Sequence, residues 1–202
     1  MKRQMIFCLM IPTLFAMSSA AETRNPTVTD IRNVDFRNFT YNSSLCSQEY
    51  GRQGIGRIVH VRDGEFKNRN VYFTVANDRI VYADITGDGQ EEAIVPVDCG
   101  ATAANFSRSE VNVYTIQNGA VTLLATTNDK NMERDYRASY PDADSYWGIN
   151  ENGIKTNNGN LVIEVLADGP HAAPKYVVTL EYHLNGKTLR LNGKPVRKSS
   201  GQ

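Results

Sequence analysis

The stretch KYVVTLEYHLNG, residues 175–186, decides the fold class of this chain. Its apolar residues fall at every second position from Tyr176 to Leu184, which is the period of a β-strand with one buried face. Asn185-Gly186 follows at once, and this dipeptide tolerates positive φ in a tight hairpin turn. Residues 187–191 then return as a second strand. The stretch therefore predicts an antiparallel hairpin.

Short alternating runs separated by turn residues recur along the chain. The further predicted strand pairs are 57–62 and 65–75 around Asp63-Gly64, 79–84 and 92–99 around an acidic loop, 110–116 and 121–125 around Asn118-Gly119, and 147–155 and 161–166 around residues 157–160. Pro96 predicts that its strand lies at a sheet edge or contains a bulge. The fold class is thus mainly β, α+β at most, with an antiparallel sheet built from hairpins.

One segment has the composition of a helix. Residues 127–139 are polar and stop before Pro141, but their apolar face is thin, so a helix and a loop are both open here. The chain length suffices for one substantial core, and no linker divides it. We therefore predict one β-rich domain over residues 22–193, followed by a flexible basic tail at 194–202.

The N-terminus has the three regions of a secretory signal peptide. Lys2 and Arg3 precede an apolar run from Met5 to Met17, and small residues at 18–21 supply the cleavage site. The run is shorter than the ~20 apolar residues that a spanning helix needs. We predict that residues 1–21 are removed, that the mature chain begins near Ala21 or Glu22, and that it is periplasmic or secreted and does not span a membrane.

Two cysteines remain once the predicted leader, which contains Cys8, is removed. Cys46 and Cys99 would then meet in an oxidising compartment, where such a pair forms a disulfide. The alternative is two free buried thiols. We predict one structural disulfide.

Charge excludes a broad nucleic-acid surface. The chain has 22 basic and 22 acidic residues, and loss of Lys2 and Arg3 leaves 20 against 22. The one basic cluster, Lys194, Arg197 and Lys198, lies in the predicted tail.

The acidic loop at residues 84–92, DITGDGQEE, places oxygen-bearing groups at alternate positions around two glycines. Calcium prefers six to eight such oxygens. The candidate metal ligands are the side chains of Asp84, Thr86, Asp88 and Glu92 and the backbone carbonyl of Gln90. The loop resembles the calcium loops of integrin-type propeller blades, with Thr86 and Glu92 as departures. The alternative is a structural turn in which the aspartates accept backbone N–H bonds.

Several short motifs together resemble a known family. They are YADITGDG at 82–89, EA at 92–93, Cys99, DGPH at 168–171, VTLEY at 178–182 and Gly186. Over residues 60–192 they resemble the LppP/LprE-type family of exported bacterial proteins, although the lipoprotein cysteine is missing. The resemblance implies an exported β-rich domain of unassigned activity, and it transfers no catalytic residue.

Motifs of common enzymes are absent from the sequence. There is no Gly-x-Ser-x-Gly, no His-Glu-x-x-His and no phosphate-binding glycine loop. His60 and His183 fall on predicted strands, whereas His171 falls in a loop, where sites concentrate. We therefore predict an exported, non-catalytic binding or envelope-associated module with calcium as the one candidate cofactor and an envelope protein or glycan as partner. The alternative is a periplasmic or secreted hydrolase that uses loop carboxylates and His171.

Overall fold

The computed structural model describes residues 28–43, 45–46, 56–104 and 107–201, so the predicted leader lies outside the described residues. The described chain is mainly β. Its strands are β1 Thr40–Asn42, β2 Ile58–His60, β3 Glu65–Lys67, β4 Val71–Val75, β5 Val81–Ala83, β6 Glu92–Ala101, β7 Ser107–Gln117, β8 Ala120–Asn128, β9 Tyr146–Asn157, β10 Asn160–Ala167, β11 Tyr176–Asn185, β12 Thr188–Leu191 and β13 Val196–Ser199. The helix α1 spans Asp129–Ser139, and short 3₁₀ turns lie at Ile31–Asn33, Phe36–Asn38 and Asn77–Arg79.

The first large sheet is antiparallel and has the order β3-β4-β6-β7-β8, with β5 also paired to β6. Strands β5 and β4 share one edge of β6, because β5 pairs up to Ile94 and β4 begins at Val97. Pro96 lies in the break between them, where β6 has no neighbour on that side. The strand is nevertheless central, so the prediction of an edge or a bulge at Pro96 is wrong.

The second large sheet is also antiparallel, with the order β12-β11-β10-β9. Strand β13 pairs with β11 as well, from Tyr176↔Ser199 to Thr179↔Val196. The segment predicted as a flexible basic tail is therefore wrong in its central part, which is a strand. Its pairing was hidden from sequence because it follows Pro195 and is only four residues long.

The two large sheets pack face to face and enclose the main core. Ile94 and Val113 contribute from the first sheet, Ile163 and Leu180 from the second, and Met132 from α1. A second core lies on the opposite face of the first sheet, beneath residues 31–46 and β2. Strand β6 is consequently buried on both faces and reads as a continuous apolar run rather than as an alternation.

The disulfide between Cys46 and Cys99 is present, with Cα atoms 5.7 Å apart and both residues fully buried. It joins the N-terminal layer to the central strand β6. The bridged residues are 53 positions apart in sequence, for which the chain-entropy model gives a stabilisation of about 4 kcal/mol.

The turn dipeptides predicted the hairpins with different accuracy. Asn118-Gly119 and Asn158-Gly159 both adopt positive φ and connect β7 to β8 and β9 to β10, as predicted. The 175–191 hairpin is also confirmed, but Asn185 pairs with Thr188, so the turn residues are Gly186 and Lys187.

The hairpin predicted around Asp63-Gly64 is reduced to a single bridge, Arg62↔Glu65. Strand β2 pairs with β1 instead, and the predicted strand 65–75 is wrong because it divides into the hairpin β3–β4. The break lies at Asn68, whose side chain accepts hydrogen bonds from the backbone N–H groups of Asn70 and Val71.

The segment left open between helix and loop is a helix from Asp129. Asn128 caps it, accepting from the N–H of Asn131. The thin apolar face consists of Met132 and Tyr136, both fully buried. Among the described residues, no helix has the length and apolar character needed to cross a membrane.

Candidate functional site

The acidic loop connects β5 to β6 and is held by its own backbone. The two carboxylate oxygens of Asp84 accept from the N–H of Gly87 at 2.6 Å and of Gly89 at 2.9 Å. Both glycines have positive φ, which non-glycine residues rarely adopt. These bonds lower the pKa of Asp84, the bond from Gly89 most of all. The carboxylate thus stabilises the turn.

Glu92 points inward from the end of the loop and is fully buried. Its Oε2 accepts from the N–H of Ile85 at 3.1 Å and of Thr86 at 3.2 Å, and its Oε1 accepts from the hydroxyl of Thr115 at 3.1 Å. Burial raises the pKa of Glu92 overall, although these hydrogen bonds act in the opposite direction. Glu92 therefore fastens the loop to β7.

The other predicted ligands lie on the exposed side of the loop. Asp88 accepts from the N–H of Gln90 at 2.8 Å, and Thr86 donates its hydroxyl to Asp84 at 3.3 Å. Within the described residues, no three His, Cys, Asp or Glu side chains converge as a metal-binding group. This arrangement corresponds to the structural-turn alternative and does not fit the six to eight oxygens that calcium prefers. Calcium binding stays a prediction.

A second gathering of charged groups surrounds Arg197 of β13. Its guanidinium lies 4.0 Å from the ring centroid of Tyr140 and about equally far from two further rings, those of Tyr136 at 5.1 Å and Tyr176 at 5.0 Å. It donates to Asp142 at 2.8 Å and to the hydroxyl of Tyr136 at 2.9 Å. We call these five residues and Asp168 the Arg197 cluster.

Asp168 is the buried anion of the Arg197 cluster. One oxygen accepts from the hydroxyl of Tyr136 at 2.7 Å and lies 3.1 Å from Nη2 of Arg197, a contact with the distance of an ion pair but without hydrogen-bond geometry. The other oxygen accepts from the N–H groups of Asp144 and Ser145. The carboxylate is thus committed to joining α1, β13 and the loop before β9.

The histidines do not join a carboxylate site. His171 is exposed, and its ring packs edge-on against Trp147 with centroids 5.1 Å apart. His60 shares a hydrogen bond with Thr40 at 2.9 Å, and His183 lies opposite Arg190 in the β11–β12 pair. Asp168, three residues before His171, is directed toward Tyr136 and Arg197 instead. The groups of the alternative hydrolase are therefore not assembled.

A small cleft between β9 and the 3₁₀ turn at Asn77–Arg79 was missed from sequence. It has a volume of about 90 Å³. Its lining residues are Asp78, Arg79, Val81, Ile149, Asn150, Asn152, Gly153 and Ile154. The one available signal was the Asn150-Glu-Asn-Gly153 run, whose turn-forming residues interrupt a predicted strand.

Comparisons with known proteins add no family to these findings. A scan against protein-family models gives no match, and searches of curated proteins and of solved structures give none either.

Proposed function

We propose that the protein is an exported, non-catalytic binding module of the cell envelope or the secreted medium. The observation that carries the non-catalytic part is the commitment of its carboxylates to the scaffold. Asp84 and Glu92 hold the acidic loop, and Asp168 holds the Arg197 cluster. A general acid or base must instead reach a substrate proton.

Export is supported by two independent features. The first is the tripartite N-terminal sequence at residues 1–21. The second is the buried disulfide, because such bonds persist mainly in oxidising compartments. The proposed partner is an envelope protein or glycan.

Processing tests the export part of the proposal. Intact-mass measurement on protein purified from its native source should give a chain that begins near Ala21 or Glu22. Retention of Met1 to Ala20 would contradict export by this route.

Binding is tested by co-sedimentation of the mature protein with isolated envelope material. We expect saturable binding that survives His171→Ala, because His171 is exposed and packs only against a loop tryptophan. A sample unfolded by reduction of the disulfide and denaturant is the control. Failure to reach saturable binding, or hydrolysis of envelope polymer that His171→Ala abolishes, would overturn the proposal in favour of the hydrolase.

A further inference from the structure

Strand β9 contains a large bulge. Ile163 of β10 pairs with Ile154 and Val165 pairs with Ile149, so residues 150–153 all lie opposite Glu164 alone. The bulge depends on glycine, because a Cβ on Gly153 would lie 2.7 Å from the carbonyl oxygen of Glu164. Bulges re-aim side chains and are frequent beside binding sites. Here the bulge directs two asparagines to the cleft.

The cleft combines polar walls with an apolar floor. Asn150 and Asn152 line one side, and Asp78 and Arg79 line the other. The remaining lining side chains are apolar, namely Val81, Ile149 and Ile154. Each amide offers both a donor and an acceptor, the carboxylate accepts and the guanidinium donates.

Arg79 is held from behind. Its Nη2 donates to Oδ2 of Asp98 at 2.6 Å, and Oδ1 of the same carboxylate accepts from the hydroxyl of Ser109 at 2.6 Å. The backbone N–H of Ser109 in turn donates to the buried Asp129. A guanidinium has further N–H donors beyond the one used here. Arg79 is therefore fixed in place before a ligand arrives, which reduces the entropy cost of binding.

The balance of charges selects the ligand class. Asp78 and Arg79 oppose each other, and Asp98 further compensates the guanidinium, so a strongly charged ligand gains little. The ligand must instead supply several donors and acceptors on one side and C–H groups on the other. A sugar ring has this character. The volume equals that of about three water molecules in the liquid, so one edge of a ring enters and the rest stays at the mouth.

We propose that the cleft between the β9 bulge and Asp78–Arg79 binds one neutral sugar residue of a glycan. This inference rests on the proposed function, because it specifies the glycan among the partners named there. Asn150 and Asn152 hydrogen-bond the ring hydroxyls, and Arg79 donates to a hydroxyl or carbonyl oxygen.

NMR titration with neutral trisaccharides of glucose, mannose and N-acetylglucosamine tests the proposal. The side-chain amide signals of Asn150 and Asn152 should shift and saturate with at least one of them. Asn152 has φ 57°, so Asn152→Gly removes the amide without backbone strain. This variant should weaken binding about tenfold, the effect of losing one or two hydrogen bonds.

A matched control is Asn158→Gly, at φ 49° in the β9–β10 turn and outside the cleft. It should bind like the unchanged protein. Absence of shifts at the cleft with every trisaccharide, or equal weakening by the two variants, would overturn the inference. Envelope co-sedimentation of Asn152→Gly separates the two proposals. If sugars do not bind while co-sedimentation persists, the inference fails and the proposed function stands.

Discussion

The acidic loop and the Arg197 cluster both gather charged groups, but they are assembled in opposite ways. In the acidic loop, the bonds from backbone N–H groups span at most seven positions, from Ile85 to Glu92. In the Arg197 cluster, Arg197 reaches back 55 positions to Asp142 and 61 to Tyr136. The conspicuous local motif therefore stabilises its own turn, whereas the inconspicuous distant residues tie the helix and the last strand together.

Arg197→Ala is expected to give the largest effect. It removes the cation from between three tyrosines and leaves Asp168 buried without its ion pair. Breaking a buried pair by removing one partner costs 3–5 kcal/mol, and we expect about 3 kcal/mol because Asp142 is exposed. Urea unfolding measures the change.

The neighbouring Lys198→Ala is the control for the same strand. Lys198 is exposed, so its loss should change the free energy of unfolding by no more than about 0.5 kcal/mol. Equal effects of the two substitutions would show that β13 is not anchored through Arg197.

The acidic loop should respond more weakly. Glu92→Ala leaves the N–H groups of Ile85 and Thr86 without their acceptor, at a cost of about 2 kcal/mol. The adjacent Glu91→Ala removes only an exposed ion pair with Arg32 and should have little effect. Chemical denaturation of both variants checks this, and a Glu92→Ala protein as stable as the parent would remove Glu92 from the loop's support.

How far sequence could predict these regions follows from the range of their contacts. Turn dipeptides such as Asn118-Gly119 act over two residues, so they predicted hairpins correctly. Asn68, whose side chain ends a strand by bonding its own backbone, carried the same kind of signal and was overlooked. The Arg197 cluster needs the relative placement of α1, β11 and β13, which no local pattern specifies. The continuous burial of β6 likewise depends on a second layer that only the fold supplies.

Opposite pH dependences should separate the two regions further. Burial raises the pKa of Glu92 above its unfolded value of about 4.3. Its stabilising contribution is therefore complete below that pH and decreases as pH rises through the folded pKa. The hydrogen bond from Arg197 lowers the pKa of Asp142 below about 3.9. That contribution is present above about pH 3.9 and is lost as pH falls through the folded pKa.

Stability measured against pH for Glu92→Gln and Asp142→Asn tests these signs. Subtracting each variant's curve from that of the parent should give slopes of opposite sign, negative for Glu92 and positive for Asp142. Slopes of the same sign would mean that the two carboxylates share one kind of environment.

Calcium should give the smallest effect. If the loop bound the ion, a concentration five times Kd would stabilise the fold by about 1 kcal/mol. The hydrogen-bonded geometry of Asp84 and Glu92 leads us to expect melting curves that coincide in millimolar Ca²⁺ and Mg²⁺. A rise specific to Ca²⁺ that Asp88→Ala abolishes would instead establish the calcium site and reverse the comparison between the two regions.

Pro96 has a consequence for the chain before it folds. Residues 93–97 of β6 form an uncharged run of the kind that stacks into cross-β aggregates, in which each strand pairs its backbone with the strands above and below. Proline lacks the N–H that such stacking requires, so it interrupts this association while the exported chain is still unfolded. The break between β4 and β5 accommodates the same residue in the native sheet. Solubility in transit and native pairing are thus reconciled at one position, and Pro96→Val should increase light scattering during refolding.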